Sequence, residues 1–172
     1  MKISIQKLTV MAMLVAIGTI CSHLLYIPAG VAKAFPVQHA INVMAGVMLG
    51  PIPAVIVAFS IGLLRNLIGI GSLLAFPGGM IGAFLAGYLY KKGKKYTFAV
   101  IGEWVGTGII GAVIAVPVAA VFLGSKTGAF FFVTPFLVSS IVGGVIGLLI
   151  LRILFKNAAA KNWLGSNEEK AL

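Results

Sequence analysis

Charged residues are scarce in this sequence, and acidic residues are the scarcest. Of its 172 residues three are acidic, none of these is Asp, and charged residues make up 9% of the chain. Soluble proteins average about 25% charged residues, whereas 60% of this chain is hydrophobic. So few charges cannot cover the surface of a soluble domain of this length. The composition therefore excludes a soluble globular enzyme and a coiled coil, and it predicts an integral membrane protein.

Residues with the chemistry needed for catalysis are also few. The single cysteine, Cys21, allows neither an intramolecular disulfide nor a cysteine-based metal site. The two histidines and Glu103, the one acid ahead of the C-terminal tail, show no metal-ligand spacing and no nucleophile–base pair. No Walker A motif occurs. We therefore expect no enzymatic activity, no cofactor, no metal and no ATP hydrolysis by this chain itself.

Long apolar runs occupy most of the chain. At about 20 residues per span, its length accommodates about six transmembrane helices. We predict an all-α integral membrane protein with a six-helix transmembrane bundle over residues 1–156 and a polar tail over residues 157–172. The expected spans are, in chain order, Leu8–Ile27, Val37–Leu49, Ala54–Ile70, Met80–Tyr90, Tyr96–Phe122 and Ala129–Phe155. The alternative is four or five spans, with the short second segment re-entrant.

Basic residues indicate the orientation of the bundle. A net charge of +10 would suggest nucleic-acid binding in a soluble protein. Here the charges lie at the ends of apolar runs, so we expect no nucleic-acid partner. With the N-terminus inside, ten of the 13 Lys and Arg residues face one side, including the cluster Lys91–Lys95, while Lys33 and Lys126 face the other. The positive-inside rule therefore predicts cytoplasmic N- and C-termini, a multi-pass location in the cytoplasmic membrane, and contact with the lipid bilayer.

One cation lies inside a predicted span. Arg65 falls in the outer half of the third span, with Asn66 next to it. A charged side chain at the bilayer centre costs about 2.5–3.5 kcal/mol on insertion scales, so Arg65 should face protein or a water-filled cavity. Two compatible interpretations stay open. Arg65 binds the ligand or organises its site, or it forms a structural ion pair with Glu103.

A second polar group opens the second predicted span. Gln38 and Asn42 are one helical turn apart and share a face, and His39 lies beside that face. A polar helix cap would account for Gln38 and His39, but the deeper Asn42 favours a ligand-binding cluster on the outer side. The candidate polar substrate-binding residues are therefore Gln38, His39, Asn42, Arg65 and Asn66.

Aromatic residues can complete such a site. Phe76 lies in the glycine-bearing segment 69–79, which we expect to be an outer loop that can cover a pocket. Phe76 and Trp104 can stack on a flat ligand ring, although aromatic residues in spans more often serve packing. Small residues four apart, such as Ala12 and Ala16, permit close helix packing and are weak evidence by themselves.

Several segments together resemble a known transporter family. They are Pro28–Pro36 running into Gln38–Asn42, Leu49–Pro51, Leu64–Asn66 and Leu74–Gly79. With these segments the chain resembles the substrate-binding S components of energy-coupling factor (ECF) transporters, and within them the ThiW family. The resemblance extends from the first predicted span to the sixth.

This resemblance implies a ligand and partners. S components capture a vitamin or its precursor at the outer face, and they topple within the membrane when docked on a shared transmembrane T component. Two ATPase subunits supply the energy. An Ala-x-x-x-Ala docking pattern on the first helix of S components is matched by Ala12 and Ala16. ThiW-type members are associated with hydroxyethylthiazole, the thiazole precursor of thiamin, which is the ligand that we expect.

Other functions remain as alternatives. The same architecture can serve thiamin, a pyrimidine precursor or biotin. A stand-alone ion-coupled small-molecule transporter would need coupling residues near the midplane, for which Glu103 is the lone candidate. A structural or assembly subunit would leave the polar residues of the second and third spans without a ligand.

Overall fold

Six helices account for most of the chain in the computed structural model, which describes residues 4–29, 32–124, 128, 130–157 and 162. The helices are α1 Ile5–Leu24, α2 Pro36–Leu49, α3 Pro51–Leu67, α4 Ala75–Gly93, α5 Tyr96–Leu123 and α6 Val133–Leu154. Two short antiparallel strands, β1 (Ile27–Ala29) and β2 (Ala32–Ala34), lie between α1 and α2. The helical architecture agrees with the predicted fold class. The predicted tail lies outside the described residues except for residues 157 and 162.

The structure differs from the predicted spans at two connections. The segment Ala75–Gly79, predicted to be part of a loop, forms the beginning of α4. Pro77 is tolerated there because the N–H groups of a first helical turn have no partner within the helix. The strands β1 and β2 occupy the end of the first predicted span at Ile27 and the connection that follows it, and neither strand was predicted from the sequence.

Three of the helices are long and apolar enough to cross a membrane. They are found at Ile5–Ser22, Tyr96–Leu123 and Val133–Leu154, and the apolar helix Pro51–Leu67 is shorter. Large apolar side chains are exposed around the bundle; Val121 and Ile153, for example, are 76% and 70% exposed. By contrast, Arg65 and Glu103 are among the largest fully buried side chains. Apolar residues outside and polar residues inside are typical of a membrane protein.

Short connections decide which helix ends lie together. Gly50 alone joins α2 to α3, and its φ of 88° lies in the left-handed region that favours glycine. This turn lies at the same end of the bundle as the basic connection between α4 and α5, which contains Lys94 and Lys95. The N-terminus of α2, the C-terminus of α3 and the N-termini of α4 and α6 therefore lie together at the opposite end of the bundle.

Glycines bring α4 and α5 into backbone contact along a glycine seam, formed by Gly78 and Gly82 of α4 with Gly106 and Gly111 of α5. A Cβ on Gly106 would lie 2.7 Å from the Cα of Gly82, and a Cβ on Gly111 would collide with Gly78. Such an approach requires residues without side chains at the contact. It places polar side chains of α5 directly against the beginning of α4.

The hydrogen-bonding pattern of α5 changes near its middle. Residues Trp104–Gly111 are π-helical, a rare conformation that often accompanies functional sites. This segment follows Glu103 directly and contains Thr107. The wider turn of the π-helix therefore determines how the side chains of Glu103 and Thr107 are oriented toward α2 and α4. The sequence analysis did not predict it.

Candidate functional site

A cavity of about 280 Å³ opens at the end of the bundle opposite the lysine cluster. It is enclosed by the beginnings of α2, α4 and α6, the connection that follows α3, and the π-helical segment of α5. Its polar lining residues are Gln38, His39, Arg65, Ser72, Thr107 and Ser139, and its aromatic lining residues are Phe35, Phe132 and Phe136. The combination of apolar walls with few polar groups is typical of a small-molecule site.

Arg65 supplies a buried cation to this cavity. Its side chain is 2% exposed, and its Nη1 donates a 2.6 Å hydrogen bond to Oε1 of Gln38. Nη2 is 3.4 Å from the carbonyl oxygen of Ile70, and the guanidinium carbon lies 4.4 Å from the centre of the Phe35 ring. The Nε–H group has no hydrogen-bond partner among the described residues. The guanidinium is therefore held by neutral groups and retains donor capacity for a ligand.

The ion pair between Arg65 and Glu103, one of the two interpretations of Arg65, is not formed in the described part of the chain. Glu103 instead bonds to His39, with 2.7 Å between Nδ1 and Oε1. The physical reason lies in α2, because its consecutive residues Gln38 and His39 serve different partners. Gln38 holds the cation, and His39 holds the carboxylate.

Glu103 is the centre of a buried polar network next to the cavity. Its side chain is fully buried, and its Oε1 also lies 3.2 Å from Nδ2 of Asn42 and 2.7 Å from Oγ1 of Thr107. In addition, Nδ2 of Asn42 lies 3.1 Å from the carbonyl oxygen of Gly79, and Oγ1 of Thr107 lies 2.9 Å from that of Gly78. The network therefore ties α2 and α5 to the backbone at the beginning of α4.

Several lining residues were not predicted from the sequence, among them Thr107, Ser139 and Phe35. Thr107 lies four residues after Glu103, which is a helical spacing that could have indicated it. Ser139 is a buried hydroxyl on an apolar helix, and its Oγ accepts a 2.8 Å hydrogen bond from the backbone N–H of Phe35. Phe35 itself precedes the proline that begins α2, and no sequence pattern marks its contact with Arg65.

The other predicted substrate-binding residues lie around the cavity rather than on its lining. Asn42 is fully buried in the network described above. Asn66 donates from Nδ2 to the carbonyl oxygens of Gly62 and Ser72 and so braces the connection after α3. Phe76 packs against Gly62 and the ring of Phe59. Trp104 packs against Gly144 of α6.

The predicted docking pair lies elsewhere on the molecule. Ala12 and Ala16 are exposed on α1, whereas Met11, Leu14 and Gly18 of the same helix are buried against the bundle. In the described part of the chain, no group of three His, Cys, Asp or Glu residues could hold a metal ion.

A comparison with protein families identifies the chain. The family model described as thiamine-precursor transporter protein (ThiW) matches residues 8–157. No curated protein and no solved structure gives a significant match. The matched range contains all six helices nearly in full and every lining residue of the cavity. The family is one of transporters and not of enzymes, as expected from the scarcity of catalytic residues. The chain therefore belongs to the ThiW family of thiamine-precursor transporter proteins.

Proposed function

We propose that the protein is the substrate-binding S component of an ECF transporter and that it captures hydroxyethylthiazole in the cavity around Arg65. The observation that carries this proposal is the buried guanidinium, which lines the cavity without a carboxylate partner in the described residues and with an unpaired Nε–H. Leaving a buried donor unpaired costs about 1–3 kcal/mol. Nη1 and Nη2 each form one hydrogen bond and keep a second N–H, so the site favours ligands that present an acceptor to the guanidinium.

Hydroxyethylthiazole matches the chemistry of the lining. Its flat heterocycle suits walls that contain Phe35, Phe132 and Phe136, and its ring nitrogen and hydroxyl oxygen are acceptors for Arg65. The cavity volume of about 280 Å³ lies just below the ~300–1,000 Å³ usual for ligand pockets. This size favours a one-ring precursor over thiamin, which joins two rings.

The direction of capture follows from the basic residues. The cavity opens opposite the end that carries Lys91–Lys95. In a bundle of six crossing helices with cytoplasmic termini, the positive-inside rule puts that lysine cluster in the cytoplasm and the cavity at the outer face of the cytoplasmic membrane. The ligand is thus captured from outside, and delivery inward by toppling requires energy from elsewhere.

Energy coupling is assigned to partner subunits. The sequence contains no Walker A motif, so we assign ATP hydrolysis to two partner ATPases and docking to a T component. The exposed pair Ala12 and Ala16 on α1 is the proposed docking surface for the T component. Two small residues on one exposed face permit close approach of another helix.

Calorimetric titration of the purified protein in detergent tests the ligand assignment. We expect saturable binding of hydroxyethylthiazole, with thiamin as a much weaker competitor. Preference for thiamin, for a pyrimidine precursor or for biotin would overturn the assigned ligand. Uptake in cells that express the protein without ATPase partners would overturn the S-component role and favour a stand-alone ion-coupled transporter.

A further inference from the structure

Glu103 is a buried acid that does not itself line the cavity. Its side chain is hydrogen-bonded to His39, which does line the cavity. Three polar atoms converge on Oε1: Nδ1 of His39 at 2.7 Å, Nδ2 of Asn42 at 3.2 Å, and Oγ1 of Thr107 at 2.7 Å, whose single hydrogen is shared with the carbonyl oxygen of Gly78. The second oxygen, Oε2, has no partner in the described residues. A proton on Oε2 would therefore be a buried, unpaired donor, and convergence of donors on Oε1 is the pattern expected of a carboxylate.

A carboxylate at this position fixes the histidine ring. Nδ1 must carry a hydrogen to bond to Oε1, so in the neutral imidazole the other nitrogen, Nε2, is a hydrogen-bond acceptor. His39 lines the cavity, and its Nε2 forms no hydrogen bond with another described residue.

We infer that the cavity recognises its ligand through a donor–acceptor pair, in which Arg65 donates to the ligand and Nε2 of His39 accepts the hydrogen of an alcohol. Glu103 is the positioning residue that holds His39 in the accepting tautomer. The ligand class is a small neutral heterocycle that carries both a ring acceptor and an O–H donor. This inference rests on the proposed function, because hydroxyethylthiazole is the alcohol that it concerns.

Two analogues of the ligand isolate the alcohol hydrogen. The O-methyl ether of hydroxyethylthiazole keeps the oxygen acceptor and loses the donor, and 5-ethyl-4-methylthiazole loses the oxygen altogether. By calorimetry, we expect each analogue to bind the wild-type protein about tenfold more weakly than the alcohol, because Nε2 of His39 is left unpaired. Equal binding of the alcohol and both analogues would overturn the donor–acceptor pair and leave the proposed function standing. Failure of the folded wild-type protein to bind the alcohol would overturn both.

Variants of Glu103 separate positioning from packing. Glu103→Gln keeps a carbonyl oxygen where the three donors converge, so we expect the preference for the alcohol to survive. Glu103→Ala removes the acceptor, so the affinities for the alcohol and for its ether should differ by no more than about twofold. The matched control, Asn42→Ala, removes another donor to the same Oε1 and should change the affinities for alcohol and ether by the same factor. Retention of the full preference in Glu103→Ala would overturn the positioning role.

A spectroscopic measurement on the wild-type protein keeps the inference testable if Glu103→Ala does not fold. The chain has two histidines, so nitrogen NMR of isotope-labelled histidine in detergent can be assigned with a His23→Gln variant. We expect His39 to show the neutral tautomer that is protonated on Nδ1. A ring protonated on Nε2, or on both nitrogens at neutral pH, would overturn the inference.

Discussion

The guanidinium of Arg65 is bonded to the side-chain oxygen of Gln38 at 2.6 Å. Two buried residues from α2 and α3 thereby meet where the helix ends converge, and the charge of Arg65 is compensated by an amide rather than by an acid. A neutral partner leaves the positive field available to whatever occupies the cavity. The predictions below begin with this pair.

Replacement of Arg65 by alanine should weaken binding of hydroxyethylthiazole by about 10- to 100-fold, since hydrogen bonds to a charged group contribute about 1.5–3 kcal/mol each. Calorimetry of the detergent-purified variant measures the loss. The matched control is Arg152→Ala, an exposed arginine near the opposite end of α6, which should bind normally. Normal binding by a folded Arg65→Ala variant would show that the ligand site lies elsewhere.

Ser139→Ala should weaken ligand binding about three- to tenfold. The change leaves the backbone N–H of Phe35 without its acceptor, and an unpaired buried donor costs about 1–3 kcal/mol, which loosens the ring that packs over Arg65. The neighbouring Ser140 is buried but bonds only to the carbonyl oxygen of Leu137 within its own helix. Ser140→Ala is therefore the control, and an equal effect of both changes would argue against a specific role of Ser139.

Replacement of Ala12 and Ala16 by leucine should block transport and leave ligand binding intact. Both residues are exposed on α1, so larger side chains fit the isolated protein and obstruct only a docked T component. Uptake in cells and calorimetry of the purified variant measure the two properties separately. Ala120→Leu, at an exposed alanine of α5, is the control and should transport normally. Loss of binding in the double variant would mean that the alanines serve internal packing.

Gly106→Ala should destabilise the protein by about 1–3 kcal/mol, the usual cost of overpacking a closely packed contact. The added Cβ would lie 2.7 Å from the Cα of Gly82, where backbone atoms cannot withdraw as a flexible side chain can. Thermal unfolding in detergent measures the change. Gly128→Ala is the control, because no described residue lies within 4 Å of a Cβ at Gly128. An unchanged melting temperature for Gly106→Ala would show that α4 and α5 can separate at the glycine seam.

The helices could be predicted because apolar runs and lysine clusters mark them in sequence, and the candidate site could be predicted in part. Gln38, His39 and Arg65 were found because polar groups in a membrane span are costly and conspicuous. The partner of Arg65 could not be predicted, because an approximate layout of the helices places both Gln38 and Glu103 within reach of its side chain. Phe35 and Ser139 were missed because their roles depend on a backbone contact between distant segments. Trp104 and Phe76 lie off the cavity lining, and large aromatic rings serve packing as readily as binding.

In soluble proteins large apolar residues are mostly buried and sensitive to substitution. In this bundle many large apolar residues are exposed, and close internal contacts are made by glycines. Large apolar residues such as Val121 and Ile153 are exposed, so one aliphatic side chain can replace another there with little consequence in a fluid lipid environment. An added Cβ at Gly106 or Gly111 of the glycine seam would clash with backbone atoms of α4. Random mutagenesis should therefore recover many changes at the bulky outward positions and few at Gly106 and Gly111, where the backbone of α4 leaves no room for a side chain.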